Sequence, residues 1–136
     1  MKPLLFGALR VTNRALSDSP TGIVAMISSA KANFQRISPR KARVVINMVR
    51  GRDADEALQL LEFTPKAAAP IVKKLLASAV ANAKQKAPSA TSLYISKATV
   101  DQGPNSHLRR WRPRAMGRAT PIVKGVSHIT IELEQR

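Results

Sequence analysis

From residue 28 to residue 37 the chain reads SSAKANFQRI, a loose alternation of small or apolar with polar positions that predicts a strand. Ser38 followed by Pro39 then predicts a helix start. A serine at the N-cap can accept from the first free N–H groups, and a proline at the next position needs no N–H partner. Ala42, Val45, Ile46 and Val49 recur at i, i+3, i+4 and i+7 as one buried stripe, and Gly51 predicts the stop. A second helix is expected from Asp53, whose spacing to Glu56 matches a capping box, with Ala54, Ala57, Leu58 and Leu61 inside. Thr64-Pro65 repeats the cap-then-proline signal and predicts a longer helix reaching about Lys86, before Pro88 forbids continuation. Its buried face would use Ala68, Val72, Leu75, Ala83 and either Ser78 or Ala79. Pro70 conflicts with this, because a proline inside a helix costs about 3 kcal/mol. Either the helix properly begins near Pro70 or its first turn is kinked.

From Leu93 the pattern changes to period two. Leu93, Ile95, Lys97 and Thr99 fall on one face of a predicted strand, and Tyr94, Ser96, Ala98 and Val100 on the other. A matching strand closes the chain, with Ser127, Ile129, Ile131 and Leu133 alternating against Val126, His128, Thr130 and Glu132. The two are expected to run antiparallel and to continue outward as a long hairpin over about residues 101–125, with arms of roughly 33 Å at 3.3 Å per residue. Met116 and Gly117 have neither charge nor bulk, so the turn is placed there, where glycine allows a positive φ. The predicted class is α+β: a small antiparallel sheet packed with three helices, plus a long extended β-hairpin. It forms a single domain over residues 28–136, behind an N-terminal extension over residues 1–27.

Charge adds a partner to this scaffold. The 136 residues carry 23 Lys and Arg against 8 Asp and Glu, a formal net charge of +15. Between Gly103 and Gly125 stand Arg109, Arg110, Arg112, Arg114, Arg118 and Lys124, with no acidic residue among them. Unpaired cations at that density repel one another, so the segment reads as built for a polyanion, and nucleic acid is the expected one. An isolated two-stranded hairpin is marginal in water, so the tip is expected to be mobile until RNA orders it. Trp111 either stacks on an exposed base or packs back on the body. Arg40, Lys41 and Arg43 crowd a helix start that already carries partial positive charge, so a phosphate there or a solvated basic turn are the two readings. Lys66, Lys73 and Lys84 fall near one stripe at 100° per residue, either an RNA-facing ridge or a solvated face.

Other classes are disfavoured. No apolar run approaches the roughly 20 residues of a membrane span. With no cysteine there is no disulfide framework, thiolate metal site or cysteine nucleophile. No metal-ligand spacing or phosphate-cradling glycine motif occurs, so neither metal nor cofactor is expected. Catalysis is not expected either: His107 lies in the basic segment, and His128 is flanked by Ser127, which points to the opposite face of its strand. The acids Asp53, Asp55 and Glu56 sit where a helix dipole favours negative charge rather than in a catalytic pair. The first residues, with Lys2, Arg10 and Arg14 before any acid, fit either a docked or flexible extension or an organellar targeting segment. A free-standing nucleic-acid-compacting protein is the alternative function, for which the net charge alone would suffice.

Six segments then carry a resemblance: Ser38-Pro39-Arg40-Lys41-Ala42-Arg43, Leu61-Glu62-Phe63-Thr64-Pro65-Lys66, Ser78-Ala79-Val80-Ala81-Asn82-Ala83, Val100-Asp101-Gln102-Gly103-Pro104, Pro113-Arg114-Ala115-Met116-Gly117-Arg118-Ala119 and Ser127-His128-Ile129-Thr130-Ile131. In this order they closely resemble the universal large-subunit ribosomal protein L-twenty-two family in its bacterial form, over about residues 30–134. The resemblance implies a body on the outer surface of the large subunit near the mouth of the peptide exit tunnel, and a hairpin threaded through large-subunit ribosomal RNA toward the tunnel constriction. Implied partners are that RNA, neighbouring large-subunit ribosomal proteins and the nascent peptide, in a bacterial cytoplasm or an organelle matrix. The RNA-contacting candidates on the body are Arg36, Ser38, Arg40, Lys41, Arg43, Lys66, Lys73, Asn82, Lys84 and His128. Those on the hairpin are Arg109, Arg110, Trp111, Arg112, Arg114, Arg118 and Lys124. Arg114, Met116, Gly117, Arg118 and Ala119 form the expected tunnel-lining tip. Three features depart from the family. Met116 stands where members often carry lysine or arginine, residues 104–108 are about two longer than the usual connection and are expected to bulge, and the N-terminal extension has no counterpart.

Overall fold

A computed structural model describes residues 26–88, 90 and 92–135. The N-terminal extension therefore lies, but for its last two residues, outside the described residues. In chain order the elements are β1 (Met26–Gln35), α1 (Pro39–Val49), α2 (Ala54–Phe63), α3 (Ala69–Lys86), β2 (Leu93–Gln102), β3 (Arg110–Pro113), β4 (Ala119–Ile122) and β5 (Ser127–Gln135). The fold is α+β, with an antiparallel three-stranded sheet in the order β1-β5-β2 and a separate two-stranded ribbon of β3 and β4.

The closing strand β5 is central because its alternation is the cleanest in the chain. Ser127, Ile129, Ile131 and Leu133 are all fully buried, and β1 and β2 flank it with registers Ala30↔Ile131 and Ala98↔Ile131. The core-facing side of this sheet meets α1 and α3, whose buried residues Ala42, Val45, Ile46, Val49, Val72 and Leu76 join the same cluster. The α1 stripe lies where periodicity put it. Ser28 Oγ donates to the Ala79 carbonyl at 2.9 Å and joins β1 to α3 inside the core.

Four expectations differ from the structure. Ser38 is the N-cap of α1, but its side chain makes no capping bond; its backbone carbonyl instead accepts from Lys41 and Ala42. The capping box of α2 is absent as well, since Asp53 makes no side-chain cap and Glu56 pairs with Arg52. Thr64-Pro65 ends α2 instead of opening α3. The Thr64 hydroxyl donates back to the Leu60 carbonyl at 2.7 Å, and α3 begins at Ala69 with Pro70 in its first turn, where a missing N–H costs nothing. In β2 the register shifts between Ile95 and Lys97. The bulge reverses the faces, so Ile95 is buried but Ala98 and Val100, not Lys97 and Thr99, follow it inward.

The outer edge of β2 is closed by α1 and its exit. Gly51, at φ +76°, donates its N–H to Ile95, whose own N–H returns to the Arg52 carbonyl, both at 3.0 Å. The guanidinium of Arg50 donates to Ala98 O at 2.6 Å, and that of Arg43 donates to Val100 O through Nε and Nη2. An edge strand whose carbonyls are filled by arginines offers little to a foreign strand.

Among the described residues, one buried side-chain polar atom is unpartnered. Ser127 Oγ is fully buried and makes no hydrogen bond, and such a hydroxyl costs about 1–3 kcal/mol. Ser127→Ala is therefore expected to raise stability by about 1 kcal/mol in urea unfolding; a loss of stability would show that the hydroxyl is satisfied.

Candidate nucleic-acid interface

The hairpin leaves the body through two close approaches. Gly103 donates to the Val126 carbonyl at 2.9 Å, and a Cβ on Gly103 would lie 2.9 Å from Val126 Cγ1 and 3.1 Å from His128 Nε2. On the return arm a Cβ on Gly125 would lie 2.8 Å from Ser38 Cα, a backbone atom that cannot swing away. Gly125 thus lets the hairpin root pack on the start of α1. Gly125→Val is expected to cost about 1–3 kcal/mol through overpacking and to lower Tm, while Gly117→Ala at the turn, with nothing near its Cβ, pays only for its positive φ.

The two strands do not run unbroken into the finger, as the alternation had suggested. A single 3₁₀ turn over Ser106–Leu108 interrupts the outgoing arm, at the stretch expected to bulge. Regular pairing resumes for four pairs, Arg110↔Ile122 to Pro113↔Ala119. Strand alternation puts Arg110 and Arg112 on one face of the ribbon and Trp111 on the other, opposite Pro121. The turn closes through Arg114 N–H to Arg118 O at 2.7 Å, with Met116 at φ +59° and Gly117 at φ +63°. The reversal falls where the sequence placed it, but it demands the left-handed region of a methionine as well as of a glycine.

Every residue from 109 to 124 is exposed. Trp111 is 67% exposed and is not packed on the body. The ion pairs among the described residues are Arg52–Glu56, Lys73–Glu62 and Lys97–Glu132, and none of them uses a hairpin cation. The finger therefore presents Arg109, Arg110, Arg112, Arg114, Arg118 and Lys124 to solvent without internal neutralisation. Guanidinium forks on a backbone of this kind can grip phosphates in pairs or stack on base planes.

On the body the candidates separate into three groups. Arg36, Arg40, Lys41, Lys66 and Lys84 are exposed and form no ion pair among the described residues. Arg43, Lys73, Asn82 and His128 have partners within the fold: Arg43 on Val100 O, Lys73 on Glu62 at 3.4 Å, and Asn82 on the Ser29 carbonyl at 3.3 Å. His128 accepts from the Phe34 N–H at Nδ1 and meets the Phe34 ring edge-on at 4.8 Å, holding a residue at φ +54°. Ser38 carries no capping bond. The lysine ridge does not form as drawn, since Lys66 precedes α3 and Lys73 faces an acid of α2.

Sequence reasoning missed an open groove of about 690 Å³ between the hairpin root and the body, in which Arg36, Lys41, Lys66 and Lys124 converge beside Val44 and Val123. The available signal was Val44, an apolar residue outside the buried stripe of α1. No helix among the described residues is long and apolar enough to cross a membrane.

A compact α+β body bearing an unneutralised cationic ribbon is the anatomy of a polyanion-binding protein. The chain belongs to the ribosomal protein L22p/L17e family, whose sequence signature matches residues 30–134. It is 63% identical over 111 residues to the large ribosomal subunit protein uL22 of Sorangium cellulosum, covering 82% of this chain and 99% of that protein. It is 52% identical over 112 residues to uL22 of Geobacter sulfurreducens, with coverage of 82% and 99%. The uL22 of Lacticaseibacillus casei is 49% identical over 110 residues, with coverage of 80% and 92%. The family is one of structural proteins, and its members are not enzymes.

Proposed function

We propose that the chain is a structural constituent of the large subunit of a bacterial cytoplasmic ribosome, where it binds large-subunit ribosomal RNA, supports its assembly and lines the peptide exit tunnel with the hairpin tip. The carrying observation is the finger itself: residues 109–124 are exposed throughout, bury no core and pair with no acid among the described residues. A ribbon that contributes nothing to its own domain's core has its stabilising contacts elsewhere. The mechanism is phosphate neutralisation and shape recognition, with the cations bridging RNA segments whose phosphates would otherwise repel. Neighbouring ribosomal proteins and the nascent peptide are the other partners, the latter at Arg114, Met116, Gly117, Arg118 and Ala119. The test is binding to large-subunit ribosomal RNA in competition with unrelated duplex. Preference for the folded ribosomal RNA supports the reading, and equal affinity for any duplex would replace it with general nucleic-acid compaction.

A further inference from the structure

At the hairpin root, segments far apart in sequence meet around the open groove of about 690 Å³. Arg36 comes from the β1–α1 connection, Lys41 and Val44 from α1, Lys66 from the α2–α3 connection, and Val123 and Lys124 from the return arm. None of the described residues that line it is acidic. Val44 is 52% exposed and Val123 54% exposed, so two branched apolar side chains stand uncovered in a groove that four cations also line. The volume lies within the roughly 300–1,000 Å³ of pockets that bury small ligands. A double helix is too broad to enter a space of that size, and its bases are already stacked.

A single unstacked nucleotide has the complementary chemistry, an apolar base face with an anionic phosphate on either side. Resting on the RNA-binding reading above, we propose that this groove seats one extruded nucleotide of the bound RNA. Its base lies against Val44 and Val123, and its flanking phosphates are held by Arg36, Lys41, Lys66 and Lys124. RNA is favoured over an acidic peptide because Val123 and Lys124 continue directly from the cationic ribbon. An RNA strand whose phosphates follow that ribbon's cations arrives at the groove. Gly125 and Ser38, both in the groove lining, pack too closely to admit a Cβ on Gly125, which brings the return arm up to the start of α1.

The test places a photo-crosslinking amino acid at Val44, and separately at Trp111, in full-length protein assembled into large subunits. The expected result is a Val44 crosslink confined to one or two adjacent nucleotides that chemical probing shows to be unpaired. Val44→Asp is expected to weaken binding to the ribosomal RNA roughly tenfold, within the range for losing one seated base, and to make that base reactive, whereas Val44→Ile changes neither. A Val44 crosslink to protein alone, to continuous duplex or to nothing overturns the groove assignment while a Trp111–RNA crosslink leaves the RNA-binding reading standing. Loss of RNA crosslinks at both positions overturns both. Should Val44→Asp fold poorly, the crosslink at Val44 still decides.

Discussion

Replacing Arg109, Arg110, Arg112 and Arg114 together with glutamine is expected to weaken binding to large-subunit ribosomal RNA by roughly a thousandfold at 0.1 M salt. Each phosphate contact contributes a slope of roughly 0.7–0.9 in log affinity against log salt. Four contacts therefore flatten the slope by about 3, which between 0.1 M and 1 M salt amounts to about three decades. The fold should survive, because these side chains are exposed and make no ion pair among the described residues. Titrations of wild type and variant across a salt series, with circular dichroism as the folding check, measure both quantities. An unchanged slope would mean that the ribbon does not touch phosphate.

The second large effect is on the body. Ile131→Ala is expected to destabilise the protein by about 3–4 kcal/mol, near the upper part of the range for large-to-small core substitutions, and to lower Tm by roughly 15 °C. Ile131 is fully buried and pairs with both flanking strands, Ala30 on one side and Ala98 on the other. A cavity there opens between two small residues that cannot expand to fill it. The measurement is chemical or thermal unfolding of the free protein. A loss below about 1 kcal/mol would show that the sheet relaxes around β5, contrary to its central place in the core.

These effects contrast with what the sequence could and could not specify. The stripe of α1 and the alternation of β5 were legible because each follows one period without interruption from end to end. The inward face of β2 was not, because the bulge after Ile95 adds a residue and the phase changes midway. Thr64-Pro65 was read as a start because a hydroxyl and a proline mark both ends of helices. Only the direction of the Thr64 bond, back to Leu60, separates the two. Leu76, fully buried beside Val72 and Leu75, was missed because α3 packs against β1 and α2 at once, widening its apolar face beyond a single stripe.

The candidate interface divides in the same way. The cations of residues 109–124 were legible as a local excess of charge. That Arg43 and Arg50 turn to the carbonyls of β2 was not, since composition does not say which way a guanidinium points. The groove was hidden for a different reason: its walls are assembled from the β1–α1 connection, the exposed side of α1, the α2–α3 connection and the hairpin root. No local window contains them. Met116 combines both limits, because the turn was legible, while its left-handed backbone emerges only from the closure between Arg114 and Arg118.

Crosslinking of the tagged protein in cells, with sequencing of the bound RNA and mapping of the crosslinked residues, tests the central claim most directly. The account predicts crosslinks from residues 111–118 concentrated on large-subunit ribosomal RNA. Crosslinks scattered over unrelated nucleic acids, or absent from the ribbon, would contradict it.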